Sequence, residues 1–154
     1  MTSGSARTNM SERRVSAALK RLVGERAGGC CEYCRSPARV ATQPFSVEHV
    51  TPRARGGETT SENLALSCQG CNNHKYDKIE ARDPAHGEVV PLYHPRRDRW
   101  RDHFAWSDDF TLVVGVSAAG RATVAALRLN RDGVVNLRRA LLGMGEHPPP
   151  ELDA

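Results

Sequence analysis

Hydrophobic residues recur at helical spacing near the start of the chain. A helix is predicted to begin near Ser11 and to end before the Gly28–Gly29 pair. Its apolar face consists of Val15, Leu19, Leu22 and Val23. Residues 1–10 are small and polar and show no periodicity, so we expect a disordered N-terminal tail.

Alternating or short apolar runs predict strands in the middle of the chain. Residues 44–50 place Phe45, Val47 and His49 at alternate positions, and Leu64–Ser67 is a short run after a glycine-containing loop. A helix is then predicted from near Cys71 towards Ile79.

The C-terminal half has ordinary strand and helix patterns. Residues 110–116 alternate as a strand does, and Ser117 is placed to cap a helix that ends near Asn130. A last helix is predicted around Val134, and a proline run follows it. We therefore expect an α+β fold with one domain over residues 11–145, a motif core at 30–80, and a disordered tail at 146–154.

Charge changes this picture by suggesting a partner. The 154-residue chain has a formal net charge of +4, and its arginines crowd residues 53–55 and 96–101. A basic face attracts nucleic acid through release of counterions, although a solvated arginine-rich surface has the same composition. We see no apolar run long enough to span a bilayer and no apolar leader segment, so we expect a cytoplasmic protein without membrane contact.

Four of the five cysteines form two C-x-x-C pairs, Cys31 with Cys34 and Cys68 with Cys71, separated by 33 residues. Two such pairs can complete a closed tetrahedral shell for Zn²⁺, which leaves no open position and is therefore structural. Disulfides are the first alternative, but a reducing cytosol and the odd cysteine count disfavour them. A thioredoxin-like redox motif needs only one pair, in a βαβ context that is missing here. Cys30 falls outside the spacing and is expected to be a spare thiol.

Polar residues between the cysteine pairs carry the candidate chemistry. They are the acidic residue and histidine of Val47-Glu48-His49-Val50, the Gly56-Gly57 pair, the Asn63-Leu64 step and the run Cys71-Asn72-Asn73-His74-Lys75. This order of residues over 31–75 resembles the HNH endonuclease motif, in which C-x-x-C pairs also bracket the core. The C-terminal segments at 91–95 and 120–124, with Trp100, resemble a branch of small bacterial HNH proteins.

The resemblance implies a ββα-metal (His-Me finger) core and a role for each motif residue. Glu48 is implied as the first ligand of a catalytic metal ion, and His49 as the general base. Asn63 is the central asparagine that braces the loop and orients the base. Asn72 occupies the third motif position and is implied as the second ligand of the catalytic ion.

The residue types support these roles independently of the family. Histidine has an ordinary pKa near 6.5 and can accept a proton from water at neutral pH. Carboxylate and amide oxygens are hard ligands, which favour Mg²⁺ or Mn²⁺. Because neighbouring residues of a strand point to opposite faces, we expect a bend or twist between Glu48 and His49.

We therefore expect a phosphodiester hydrolase that acts on nucleic acid, with double-stranded DNA as its substrate. The residues expected to contact nucleic acid are Arg53, Arg55, Lys75 and Lys78. Trp100 and Trp106 are expected in the core. A zinc-containing module that binds nucleic acid without cutting it is the alternative, followed by a zinc-stabilised protein-interaction domain. The sequence leaves the oligomeric state open.

Overall fold

The computed structural model describes residues 15–151, so the expected tail at 1–10 lies outside the described residues. Within this range five α-helices alternate with six short strands. The helices are α1 (Ala17–Arg26), α2 (Gln69–Lys75), α3 (Trp100–His103), α4 (Ala118–Leu127) and α5 (Asp132–Gly143). The strands are β1 (Ser46–His49), β2 (Leu64–Ser67), β3 (Glu80–Arg82), β4 (Val89–Pro91), β5 (Phe104–Trp106) and β6 (Val113–Gly115). They form three separate antiparallel pairs, β1–β2, β3–β4 and β5–β6.

The ββα unit follows the predicted order. Strands β1 and β2 pair antiparallel with Ser46 opposite Ser67 and His49 opposite Leu64. Cys68 ends this hairpin and is the N-cap of α2, where its Sγ accepts a hydrogen bond from the amide of Cys71 at 3.4 Å. The α+β prediction with a ββα core is confirmed. Helix α2 ends at Lys75, earlier than predicted.

The remaining elements support this unit from the C-terminal side. Ser117 caps α4 as predicted, since its side chain accepts a hydrogen bond from the amide of Gly120 at 2.9 Å. The buried Arg138 of α5 donates to the carbonyl oxygens of Thr111, Cys34 and Leu129 at 2.9, 3.2 and 2.8 Å. The β3–β4 pair, α3 and β5 were not predicted, because elements of three or four residues are too short to show a period.

The core consists of two clusters. The larger cluster surrounds the cysteine pairs and includes Tyr33, Tyr93 and Phe104. The smaller one lies between α1 and the β1–β2 hairpin, where Val23 and Ala27 pack with Leu64. Two small clusters agree with the low aromatic content of 5%. No helix among residues 15–151 has the length and apolar character needed to cross a membrane.

The C-terminal segment corrects the prediction of a disordered tail for residues 146–151. His147 is buried, and its Nε2 lies 2.8 Å from the carbonyl oxygen of Phe110. Pro150 accepts a hydrogen bond from Arg35 at 3.1 Å, and Glu151 pairs with Arg101 at 3.7 Å. The segment is therefore anchored by contacts that the proline run did not suggest. Residues 152–154 lie outside the described range.

Candidate active site and metal centre

Four cysteine sulfur atoms converge on one point beside the start of α2. The Sγ atoms of Cys31, Cys34, Cys68 and Cys71 all lie within 4.8 Å of one another, and all four residues are buried. The Sγ atoms of Cys34 and Cys68 are 3.7 Å apart. Tetrahedral zinc with Zn–S bonds of about 2.3 Å requires S–S separations of about 3.8 Å. The cluster is compatible with structural zinc, and Cys30 lies outside it as predicted.

The positively charged side chain of Arg131, the residue that precedes α5, approaches this cluster. The guanidinium of Arg131 donates to Cys68 Sγ at 3.2 Å and to Cys71 Sγ at 3.5 Å. A Cβ atom at Gly70 would lie 2.5 Å from Arg131 Nη2, so only glycine leaves room for this contact. A tetrathiolate zinc site has a net negative charge, which a neighbouring guanidinium offsets. The sequence pattern did not indicate Arg131, because it is sixty residues away from the thiols it contacts.

Glu48 of β1 lies in a buried polar network. Its carboxylate accepts a hydrogen bond from the hydroxyl of Tyr33, and Lys75 Nζ lies 3.6 Å from its other oxygen. Lys75 also donates to the carbonyl oxygen of Val50 at 2.8 Å. Burial raises the pKa of Glu48, although Lys75 and Tyr33 each lower it in part. The carboxylate of Glu48 in β1 therefore links α2 to the loop at 31–34, which carries the first cysteine pair and which we call the first zinc loop.

This network corrects the expected role of Lys75. The lysine side chain is only 1% exposed and is held by Glu48 and Val50. In this position it neutralises a carboxylate and does not face a nucleic-acid phosphate. A cation at the start of a motif helix suggested an exposed side chain, whereas the buried partner on β1 could not be recognised locally.

The expected bend between Glu48 and His49 is also absent. Pairing with β2 continues through both residues, and the amide of Val50 donates to the carbonyl oxygen of Asn63 at 2.8 Å. Strand alternation therefore holds: Glu48 faces α2 and His49 faces the loop that follows β1. The two side chains lie on opposite sides of one strand.

His49 is half-buried and is oriented by a threonine. Its Nε2 lies 2.8 Å from Thr59 Oγ1, which also accepts a hydrogen bond from Arg53 at 2.9 Å. Burial lowers the pKa of His49, and the nearby charge of Arg53 lowers it further. Both effects favour the neutral form of the imidazole, which is the form that can accept a proton. Thr59 was missed in the sequence, because a threonine in a polar loop has no distinctive spacing.

Asn63 closes the loop between His49 and β2. Its Oδ1 accepts a hydrogen bond from the amide of Thr51 at 2.8 Å, and its Nδ2 donates to the carbonyl oxygens of Thr51 and Glu58 at 3.0 and 2.8 Å. A Cβ at Gly57 would lie 1.7 Å from the Thr51 oxygen, so the chain can approach only with glycine there. These contacts agree with a bracing role for Asn63.

Glu48 and its neighbour Asn72 offer oxygen atoms of the kind that hard cations prefer. Asn72 precedes Lys75 by one turn of α2 and therefore shares the helix face that Lys75 turns towards Glu48. A carboxylate and an amide on facing elements are hard oxygen donors. The ammonium of Lys75 already balances Glu48 in this arrangement, so a divalent ion must share the carboxylate with it or displace it. Among residues 15–151, the four cysteines are the only group of three or more His, Cys, Asp or Glu side chains that converges on one point.

The other expected contacts to nucleic acid lie at the surface. Arg55 is exposed and donates to the carbonyl oxygen of Asp77 at 2.7 Å, while Lys78 is exposed and donates to that of His74 at 2.9 Å. Arg53 is half-buried beside His49. All four predicted cations thus lie in the loop that follows β1 or at the end of α2, and only Lys75 is buried.

Comparison with known proteins gives one match. Residues 31–78 match the family model described as HNH endonuclease. No curated protein and no solved structure is significantly similar to the chain. The recognition of an HNH domain is therefore confirmed for residues 31–78, and it indicates a nuclease or nucleic-acid-binding function. The match ends before the C-terminal segments, whose resemblance to small bacterial HNH proteins stays a prediction.

We expect one tightly bound zinc ion per chain. Cys68→Ala should release the zinc and severely lower stability, because metal-binding energy contributes directly to the folding of small domains. Cys30→Ala, which removes the thiol outside the cluster, is the matched control and should keep the metal. Elemental analysis and thermal unfolding measure both effects. Freshly purified, folded protein without zinc would contradict the assignment.

Gly70→Ala should loosen the zinc site without changing a ligand. The added Cβ displaces the guanidinium of Arg131, and loss of an outer-shell partner costs about 10-fold or more in metal affinity. Gly133→Ala is the control, since a Cβ there meets nothing within 4 Å. Transfer of zinc to a coloured chelator measures the change. Equal transfer rates for the two variants would show that Arg131 does not support the thiolates.

Proposed function

We propose that this protein is a metal-dependent endonuclease that hydrolyses phosphodiester bonds in DNA. The observation that carries the proposal is the arrangement around His49: a half-buried imidazole oriented by Thr59, inside an HNH domain, on the strand that also holds the buried Glu48. To act as a general base, a histidine must be both oriented and neutral. Burial and Arg53 lower the pKa of His49 and so favour its neutral form.

His49 accepts the proton of the attacking water. Thr59 Oγ1 has two lone pairs, so it can accept from both Arg53 and Nε2–H of His49. In that tautomer Nδ1 carries the free lone pair and takes the proton. The water oxygen bonds to phosphorus and the bond to the 3′ oxygen breaks. The products are a 5′-phosphate and, after the leaving oxygen takes up a solvent proton, a 3′-hydroxyl.

Glu48 and Asn72 are proposed to hold the catalytic ion, Mg²⁺ or Mn²⁺. An ion held there would supply positive charge to stabilise the phosphate and the departing 3′ oxygen. Asn63 keeps the His49 loop closed through its bonds to Thr51 and Glu58.

The proposed substrate is double-stranded DNA, bound mainly through its phosphates. Arg53 lies beside the proposed base, whereas Arg55 is exposed in the same loop and Lys78 is exposed shortly after α2. Phosphate contacts fix the position of a protein on the duplex and give little sequence preference. We place the protein in the cytoplasm, where cysteines remain reduced and available to zinc. All five are free thiols here.

A zinc module that binds nucleic acid without cutting it is the second candidate. The pairing of Glu48 with Lys75 favours it, because a carboxylate that is already balanced needs no metal ion. The two candidates differ in whether Glu48 and His49 are required for chemistry or only for structure.

His49→Ala should lower the rate of plasmid cleavage by roughly 10²–10⁴-fold, the usual contribution of a positioned acid–base group. Zinc content, folding and DNA binding should be retained, because His49 is outside the cysteine cluster. Extra Mn²⁺ should not restore the activity, since the variant lacks a proton acceptor and not a ligand.

His86→Ala is the control, because His86 is exposed and lies outside the site. Plasmid nicking in Mg²⁺ or Mn²⁺ is the measurement. Cleavage by His49→Ala at the wild-type rate would exclude the proposed mechanism and favour the binding module.

A charge-balanced pair of substitutions separates the two roles of Glu48. Glu48→Gln and Lys75→Met should each lower the free energy of unfolding by roughly 3–5 kcal/mol, because each leaves a buried charge without its partner. The double variant removes both charges and should recover most of this stability. If Glu48 holds the catalytic ion, the refolded double variant stays inactive. Denaturant unfolding and plasmid nicking on the same preparations give the answer, and an active double variant would show that Glu48 is structural.

A further inference from the structure

A cleft of about 650 Å³ lies outside the site described above, between the end of α1 and the segment at 93–101. Six arginines line it: Arg26, Arg35, Arg96, Arg97, Arg99 and Arg101. Four acidic residues also line it, so cations exceed anions by two. Both tryptophans of the chain, Trp100 and Trp106, lie in its wall and are partly exposed.

Two of these arginines are partly withdrawn from water. Arg26 donates to the carbonyl oxygen of Leu64 at 2.8 Å, and Arg96 pairs with the buried Glu32. Within residues 15–151, the buried Nε atoms of Arg26 and Arg96 have no hydrogen-bond partner. A buried donor without an acceptor costs free energy, and a shift of either side chain towards an anion in the cleft would remove that cost.

The electrostatics of the cleft point the same way. Burial, and after it the charge of Arg26, lowers the pKa of Arg96 to about 10. Two guanidinium groups therefore repel each other in a partly desolvated space. Glu32 pairs directly with Arg96, and Glu62 acts on Arg26 only through its nearby charge.

A second hollow borders both this cleft and the start of the loop at 50–63 between β1 and β2, which we call the HNH loop. It has a volume of about 300 Å³ and shares Tyr93, Arg97 and Asp98 with the larger cleft. Its lining also includes Lys78 and Thr51, which is two residues after His49. A chain of cationic side chains thus leads from the neighbourhood of the proposed base, past Arg97, to Arg26 and Arg96.

We propose that the cleft is a phosphate subsite, in which Arg26 and Arg96 bind a backbone phosphate of the nucleic-acid strand and Arg97 guides the strand towards the HNH loop. Guanidinium groups suit this task because their forked donors match phosphate oxygens. The assignment of the ligand as a nucleic-acid strand rests on the proposed function. Free inorganic phosphate has the same chemistry and is the other source of such an anion.

Tryptophan fluorescence reports on the cleft without a label, since both tryptophans of the chain line it. Titration of zinc-loaded protein with a short DNA duplex should give a saturable change in emission. Arg26→Gln and Arg97→Gln should each weaken binding roughly 10-fold, as expected for one lost charge-assisted hydrogen bond. Each should also reduce the log–log salt slope by about 0.9.

Arg21→Gln is the matched control, because Arg21 is exposed on the same helix as Arg26 and does not line the cleft. It should bind like the wild type. Arg97→Gln keeps the test valid if Arg26→Gln fails to fold, since Arg97 is exposed. Equal binding by Arg97→Gln, by any folded Arg26→Gln and by Arg21→Gln would overturn the subsite.

Inorganic phosphate is the second arm of the titration. It should compete only at concentrations far above those of the duplex, because it makes one contact where a strand makes several. Equally tight binding of inorganic phosphate would overturn the strand assignment. Plasmid nicking by the wild type is measured separately. Nicking without any effect of the arginine variants on binding refutes the subsite alone, whereas the expected binding effects without nicking refute the catalytic proposal alone.

Discussion

Convergence of four buried sulfur atoms on one point constrains the rest of this structure. The two C-x-x-C pairs are separated by 33 residues that contain both β1 and β2, so closing the cluster also closes the hairpin that carries His49. Four buried thiols offer little stability by themselves, whereas thiolates bound to a cation hold two distant chain segments together. With only 5% aromatic residues and two small apolar clusters, the protein depends on such a tie more than a larger domain does.

The first zinc loop also fixes the position of the Glu48 carboxylate, which is the proposed metal ligand. Tyr33 lies between Cys31 and Cys34, and its hydroxyl holds the carboxylate of Glu48. The backbone of the same loop accepts hydrogen bonds from later parts of the chain, at Tyr33 from Trp100 at 3.0 Å and at Cys34 from Arg138 at 3.2 Å. The C-terminal helices are therefore joined to the HNH domain through the zinc loop. A disturbance of the metal should reach Glu48 through one side chain.

Sequence reasoning succeeded where the signal is local and failed where it depends on a distant partner. The bounds of β2, the cap at Ser117 and the cysteine set follow from residues that are neighbours in the chain or recur at fixed spacing. The burial of Lys75 depends on a carboxylate in another element, and the orientation of His49 depends on Thr59 across a loop. The pairing of Arg96 with Glu32 joins residues 64 positions apart, so no local pattern could have indicated it.

The charges near β1 explain how Glu48 and His49 can be neighbours on one strand and still have independent electrostatic surroundings. Glu48 and Lys75 together are neutral, so the nearby charge that most affects His49 is that of Arg53. Burial, and after it the charge of Arg53, lowers the pKa of His49, and a base with a lowered pKa is also a weaker proton acceptor. A phosphate bound beside Arg53 would offset the guanidinium charge and raise the pKa of His49 towards its ordinary value. On this account the proposed substrate itself strengthens the base, and free His49 stays neutral and ready until a phosphate arrives.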